Sequence, residues 1–251
     1  SRMIMQIFKS SFVKIVLVMS SILLVGVTIA QTQTIKSNQA DQSVSKLTHN
    51  SVEEKKNQNS NQNNDDNIGN KSYIRQIYAY LHDEYGMSGT SIAGILGNWI
   101  QESGIDPIAV AGDWAYRSLE NTKSSTDTNK DIGFAQWSFK RRQNLITFAN
   151  QKYHGYWWEP NCQLEFMTQQ DGSFVAILKN YALNDRGDIV QNAVNFNDDW
   201  EVSPDEKNKI GLTRGKNAQL VYQYMQKNNM TGLADTIKIQ KLVYLGNGLP
   251  Y

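Results

Sequence analysis

The stretch from Gly94 to Gly104 most restricts how this chain can fold. It is an apolar, small-residue run that reaches a single carboxylate, Glu102, and stops at a glycine. Ser88 or Thr90 can cap the start of a helix here, and Gly104 can be the left-handed residue after its end. On that helix Ile92, Ile95, Trp99 and Glu102 share one stripe. The three apolar members must face a core, so the rest of the fold has to be built around this element. Glu102 lies on their side, which puts it at the edge of buried apolar surface. Desolvation there disfavours the charged form, and the negative end of the helix dipole acts the same way. A carboxyl that keeps its proton near neutral pH is what a general acid needs.

Around this helix the chain divides by composition. The 251 residues carry 25 basic and 24 acidic side chains, a net charge of +1, which is no nucleic-acid signature. No aromatic residue occurs between Phe12 and Tyr73, and every Trp falls between Trp99 and Trp200, so the foldable mass begins near residue 72. Residues 1–30 read as a signal peptide or signal-anchor helix. Arg2, Lys9 and Lys14 precede an uncharged apolar run that ends in small residues at Thr28 and Ala30. Either form exports the chain beyond residue 31, with membrane attachment through this helix if it stays uncleaved. Residues 31–71 are Gln, Asn, Ser, Thr, Lys and Asp, too polar to offset the entropy of ordering. They read as a disordered tether with a reach on the order of 35 Å. The expected location is extracytoplasmic, on the cell-wall side. The one cysteine, Cys162, excludes an intramolecular disulfide.

From residue 72 the pattern is mainly helical. Ser72 caps an expected helix from Tyr73 to Tyr85. Further helices are expected at 138–153, 161–170, 174–183, 188–200 and 215–226. Residues 105–137, with Pro107, Gly112 and Gly133, read as loops and a weak hairpin. Residues 229–251 read as a C-terminal extension with a weak strand at 237–244. The expected class is mainly α, with a small β-hairpin and loop insertion, over a domain spanning residues 72–228.

The insertion carries the remaining chemistry. Asp113 and Asp131 are candidate second carboxylates, although each is also a common turn residue. Gly133-Phe134-Ala135-Gln136-Trp137 comes immediately after Asp131 and Ile132. Gly133 would let a backbone approach a ligand, and Gln136 can both donate to and accept from sugar hydroxyls and N-acetyl groups. Trp114, Trp137, Trp157 and Trp158 offer ring faces, the adjacent pair 157–158 reading as a groove wall. A cysteine peptidase built on Cys162 and His154 is disfavoured, because Cys162 sits among apolar residues at a helix start. His49, His82 and His154 have no ligand spacing, so no metal and no cofactor are expected.

Three segments in order carry a resemblance: Ala93–Asn98, then Glu102-Ser103-Gly104-Ile105-Asp106-Pro107, then Gly133–Trp137 with Arg141 and Arg142 after it. Together they resemble the phage tail-tip lysozyme family and, more distantly, goose-type lysozymes and lytic transglycosylases. The likeness spans roughly residues 72–227, its end including Phe196–Glu201 and Arg214–Tyr222. It implies an α+β lysozyme-like fold with a glycan cleft and peptidoglycan strands as the substrate. It further implies Glu102 as the acid that protonates the bond between N-acetylmuramic acid and N-acetylglucosamine, with Gln136 beside the cleaved bond. Asp131 occupies a place where goose-type enzymes keep a carboxylate. Whether Asp113, Asp131 or neither works with Glu102 stays open, and so does hydrolysis against internal attack by the muramic 6-hydroxyl. The competing reading is a glycan-binding scaffold module among envelope-machine proteins. A pure binder would have no need of Glu102.

Overall fold

The structure is a computed structural model and describes residues 68–246. The leader and most of the tether lie outside the described residues. Among the described residues no helix is long and apolar enough to cross a membrane. Ile68 is already fully buried, and the Asn70 N–H donates to the Gly104 carbonyl at 2.7 Å, so ordered packing starts before residue 72. Asn70, not Ser72, caps the first helix. Its side chain accepts from the Ser72 N–H, which leaves Ser72 inside the first turn.

The chain forms α1 (Lys71–Tyr78), α2 (Gly89–Ser103), α3 (Leu119–Ser124), α4 (Phe139–Lys152) and α5 (Pro160–Glu165). It continues with α6 (Phe174–Leu183), α7 (Ile189–Phe196), α8 (Lys207–Ile210), α9 (Lys216–Lys227) and α10 (Thr236–Ile239). Three helices expected to run on as α instead widen into π turns, at Ala79–Glu84, Phe166–Gln170 and Asn197–Glu201. A fourth π turn, Gly211–Gly215, joins α8 to α9.

Helix α2 is the central element. Its Ser88 cap accepts from the Ser91 N–H, and Gly104 closes it in the left-handed conformation, as its sequence predicts. It packs against α7 and α9. Two glycines allow that closeness. A Cβ on Gly94 would stand 2.9 Å from the Asn192 carbonyl carbon in α7, and one on Gly97 would stand 2.6 Å from the Ala218 Cβ in α9. The apolar face of α2 enters an aromatic core in which Trp99 stacks on Phe134 (5.1 Å between centroids, 3° between planes). Trp137 and Trp200 meet edge to face at 6.2 Å, and Phe196 stacks on Trp200 at 4.8 Å.

Residues 105–137 differ from the expected hairpin. Two isolated antiparallel bridges, Val110 with Ile132 and Ile132 with Trp137, are all the β pairing there is among the described residues. The backbone reverses within residues 132–137, where Gly133 and Gln136 both have positive φ, and the pairing cannot extend. The polar run before it contains a helix, α3, capped by Ser118 and tied inward by the Thr122 hydroxyl on the Ile108 carbonyl at 2.6 Å. The expected strand at 237–244 is α10 followed by a turn and irregular chain, because Asp235 accepts from the N–H groups of Ile237 and Lys238 and starts a helix. Met230, Ile239 and Leu242 are buried, so this segment adds to the core.

Candidate active site

Glu102 occupies the last turn of α2, three residues past the buried Trp99. Its side chain keeps 20% of its exposure, and its Oε1 lies 2.6 Å from Nη1 of Arg214, itself only 3% exposed. The other edge of the same guanidinium holds Asp205, with Nη2 at 2.7 Å and Nε at 2.8 Å from Oδ2. Arg214 also reaches the carbonyl and side-chain oxygens of Asn98, both at 3.4 Å. Asn98 lies one turn before Glu102 on the same helix face. Asn197 donates to Asn98 Oδ1 at 3.1 Å and to Ser203 at 2.8 Å, and this joins α2 to the π turn that ends at Glu201. The guanidinium is therefore held against Glu102 by Asp205 and by Asn98, which Asn197 braces in turn.

Burial pushes the Glu102 carboxyl above its ordinary range. The Arg214 charge and hydrogen bond oppose this, and the negative charges of Asp205 and Asp131 reinforce it. Arg214 is held above its usual range. Its own burial acts downward, and Glu102, Asp205 and Glu201 more than offset that.

Asp131 and Asp113 separate. Asp131 is half-buried, lies near enough to influence Glu102, and is pushed up by burial against the pull of Arg142. Asp113 is buried within its own loop. Its carboxylate accepts the Val110 N–H at 3.0 Å and pairs with Arg117 at 3.0 Å. Arg117 in turn donates to the Ser103 carbonyl at 2.7 Å, so Asp113 braces the end of α2. Of the aromatic candidates, Phe134, Trp137 and Trp157 are buried in the core and present no face to a ligand. Trp157 turns inward because its Nε1 donates to Thr126 at 3.1 Å, while Trp158 is only partly covered. Gly133 serves a close approach, but to Gln163, whose side-chain oxygen would lie 2.5 Å from an added Cβ. That oxygen accepts the Phe134 N–H at 2.8 Å. Gln136 is partly exposed and donates to the carbonyl of Gly133 at 3.1 Å. Trp114, 60% exposed, lies against Gly104 at the end of the Glu102 helix with Arg117 over its ring at 4.8 Å. Cys162 is buried among apolar neighbours, which pushes its thiol far up and leaves it unreactive.

Residues 70–225 match the family model of the phage tail lysozymes. The chain belongs to that family. No curated protein and no solved structure matches it. Membership in the phage tail lysozymes makes the chain a lysozyme-like, peptidoglycan-lytic glycosidase. The matched range runs from α1 into α9 and so contains Glu102, Arg214, Asp131 and Gln136.

Within this phage tail lysozyme domain, residues that the motifs leave without a role surround Glu102. Arg214, Asp205 and Glu201 lie beyond the Gly133–Trp137 motif by about 60 residues or more in sequence, and only the chain's folding brings them to α2. One local signal is present: Asn98 is a polar residue inside the apolar run, one helical turn before Glu102. Among the described residues there is no cluster of His, Cys, Asp and Glu able to hold a metal.

Proposed function

We propose that this phage tail lysozyme is an exported muramidase in which Glu102 is the general acid. The supporting observation is the placement of Glu102: one partly open carboxyl at the end of a buried helix, raised by desolvation and ringed by further acids. In this reading Glu102 gives its proton to the glycosidic oxygen between N-acetylmuramic acid and N-acetylglucosamine. The C1–O bond breaks, and its electron pair leaves with the protonated oxygen. Water or the muramic 6-hydroxyl then adds to C1 and returns a proton to Glu102. Of Asp113 and Asp131, Asp131 is the one placed to assist, since it acts on Glu102 electrostatically while Asp113 is tied within its own loop. Gln136 and the exposed Trp114 would contact sugar, one by hydrogen bonds and the other by its ring face.

The export reading rests on the basic and apolar leader and the polar tether. A domain tethered outside the membrane suits local wall opening within an envelope machine such as a conjugation or secretion system. Recovery of the protein wholly in the medium, with no cell-bound fraction, would refute the tether.

The experiment is digestion of purified peptidoglycan by the wild type and by Glu102→Gln, with products identified by mass. The expected result is cleavage by the wild type alone. Muramic acid at the new reducing end means hydrolysis, and an anhydro end means internal attack. N-acetylglucosamine at that end overturns the bond assignment, and equal digestion by both proteins overturns the acid. No digestion by the wild type would favour the glycan-binding scaffold.

A further inference from the structure

Asp205 lies in the link between the π turn Asn197–Glu201 and α8. The link opens on a strained residue. Val202 is β-branched and exposed, yet it is left-handed, with φ 53°. Packing of its own side chain cannot account for that conformation. Strain of this kind persists where the surroundings fix it. Here the Val202 N–H donates to the Asn197 carbonyl at 2.7 Å and turns the chain back toward α2. Ser203 then exchanges hydrogen bonds with the Asn197 side chain at 2.8 and 3.2 Å, and Asn197 holds Asn98 of α2 at 3.1 Å. The Asp205 N–H reaches the Ser203 hydroxyl at 3.4 Å. What this turn delivers is the Asp205 carboxylate, brought to the far edge of the guanidinium that touches Glu102.

Arg214 carries one positive charge between these two carboxyls. Oδ2 of Asp205 accepts from Nε at 2.8 Å and lies 2.7 Å from Nη2, while Oε1 of Glu102 meets Nη1 at 2.6 Å. One cation cannot compensate two carboxylates. Solvation decides which of them keeps its charge. The Asp205 side chain is 39% exposed and that of Glu102 is 20% exposed, so ionisation costs less at Asp205. The convergence of two donors on one Asp205 oxygen adds to the preference. No other group supplies a cation to Glu102. Besides Arg214 it faces Asp205 and Asp131, and Glu201 faces Arg214 from the π turn. The neighbouring guanidinium, Arg141, is committed to Asp171 at 2.6 Å.

We propose that Asp205 is a positioning residue for the cleavage reaction: it occupies the Nε–Nη2 edge of Arg214, takes up the guanidinium charge, and leaves Glu102 a neutral carboxyl with Arg214 as its hydrogen-bond donor. This rests on Glu102 being the acid. In the loaded state Nη1 donates to Oε1, so the proton is carried by Oε2. When that proton passes to the leaving oxygen, Glu102 becomes a carboxylate beside a cation that it shares with Asp205. The proton released by the attacking water or hydroxyl then returns to Glu102. Without the Asp205 charge, Arg214 belongs to Glu102 alone. The two close into an ion pair, and Glu102 loses its proton at lower pH. The negative charge of Asp205 does push the Glu102 carboxyl upward, against Arg214.

The test uses the full chain, purified peptidoglycan and side-chain carboxyl NMR titrations of glutamate-labelled protein. Asp205→Asn keeps an oxygen for the Nε and Nη2 donors and removes the charge. The alkaline limb of its lytic pH profile should move down by about one pH unit or more, the effect of a nearby charge. The Glu102 carboxyl should titrate lower by a similar amount, a measurement that needs no activity. Asp205→Glu, which keeps the charge, should restore most of the limb. If Asp205→Asn does not fold, the same comparison is made on Val202→Gly, which relieves the left-handed strain, against Val202→Gly alone. Activity lowered equally at every pH, with the limb and the Glu102 titration unmoved, would make Asp205 merely structural and overturn the inference. So would an Asp205→Glu protein that behaves like Asp205→Asn. With Glu102→Gln inactive, an unmoved Glu102 titration removes this inference alone. Full lytic activity in Glu102→Gln would remove the acid assignment, and the inference with it, whatever the titrations show.

Discussion

Gly97→Ala tests whether close packing of α2 holds the acid in place. The added Cβ would stand 2.5 Å from the Arg214 carbonyl oxygen, 2.6 Å from the Ala218 Cβ and 2.7 Å from the Ala218 nitrogen. Two of these three atoms are backbone and cannot swing aside. The start of α9 must back away from α2. Overpacking of this kind costs about 1–3 kcal/mol, and replacing a mid-helix glycine with alanine returns about 1 kcal/mol. The net loss of up to about 2 kcal/mol should lower Tm by up to about 8 °C. Activity should fall further than stability. Arg214 travels with its backbone, and its 2.6 Å contact with Glu102 is broken by a shift of under an ångström. Misplacement on that scale can cost about 100-fold in rate. The assay is clearance of purified peptidoglycan, run well below the variant's Tm, beside a thermal melt followed by circular dichroism. Gly211→Ala is the control. Gly211 is already right-handed helical, and its Cβ would meet only Val190 at 3.7 Å and Val194 at 4.0 Å. It should keep wild-type activity with Tm unchanged or raised. A Gly97→Ala protein with wild-type Tm and rate would refute the packing argument. A lowered Tm with an unchanged rate would refute the claim that Arg214 must stay where it is.

Three further outcomes rest on individual contacts. Asp171→Ala should cost about 3 kcal/mol, the lower end for a broken buried pair, because Arg141 keeps 20% exposure and two aromatic faces; chemical denaturation at neutral pH measures it. Asp113→Ala should cost about 1–3 kcal/mol through the unpaired Val110 N–H and Arg117, yet leave cleavage within a few-fold at low temperature, since Asp113 braces a loop. Loss of cleavage without loss of stability would make Asp113 a working carboxylate after all. Burial pushes Asp185 up, but hydrogen bonds from Ser88, Thr90, Asn192 and the Gly187 N–H more than offset it, so its carboxyl is held below the ordinary range. Its stabilisation is therefore present above about pH 3.9 and lost as pH falls through the lower folded-state value. Asp185→Ala should weaken the fold at pH 7 and remove part of its acid sensitivity, read from denaturation midpoints between about pH 2 and 7.

Helix α2 is legible in the sequence because everything that defines it is local. Its cap, its apolar stripe and its closing glycine lie between Ser88 and Gly104, and they also place Glu102 at a core edge. The helices at 139–152 and 174–183 are equally readable from periodicity. The π turns are not, because a pattern at a period of 3.6 does not reveal where one extra residue enters a turn. The α3 helix is hidden by a polar composition that suits turns as well as a short capped helix. Trp157 departs from expectation for a related reason. Adjacent tryptophans look like an exposed wall, but in this loop one ring turns inward to donate to Thr126 and the other covers it edge to face at 5.6 Å. The motif Gly133–Trp137 reads in sequence as a ligand-facing group, yet most of it lies inside the fold. Its glycine and rings serve packing against Gln163 and Trp99, which leaves Gln136 as its partly exposed polar side chain.

Arg214 is harder to explain than any of these, because its charge works against the role proposed for Glu102 beside it. A guanidinium at 2.6 Å draws Glu102 toward the carboxylate, the form that cannot donate a proton. An apolar residue there would raise Glu102 further, but it would also leave Asp205 facing Glu102 with no cation between them. Uncompensated charges in a desolvated site are strongly destabilising. The guanidinium lets several carboxyls converge, and their number keeps the proton affinity of Glu102 high in its presence. Burial, Asp205 and Asp131 together outweigh Arg214 in the net upward displacement of Glu102. Fixed geometry and proton retention thus come from different residues of one cluster. Only the fold, through the glycine-lined approach of α9 to α2, brings them to the same place.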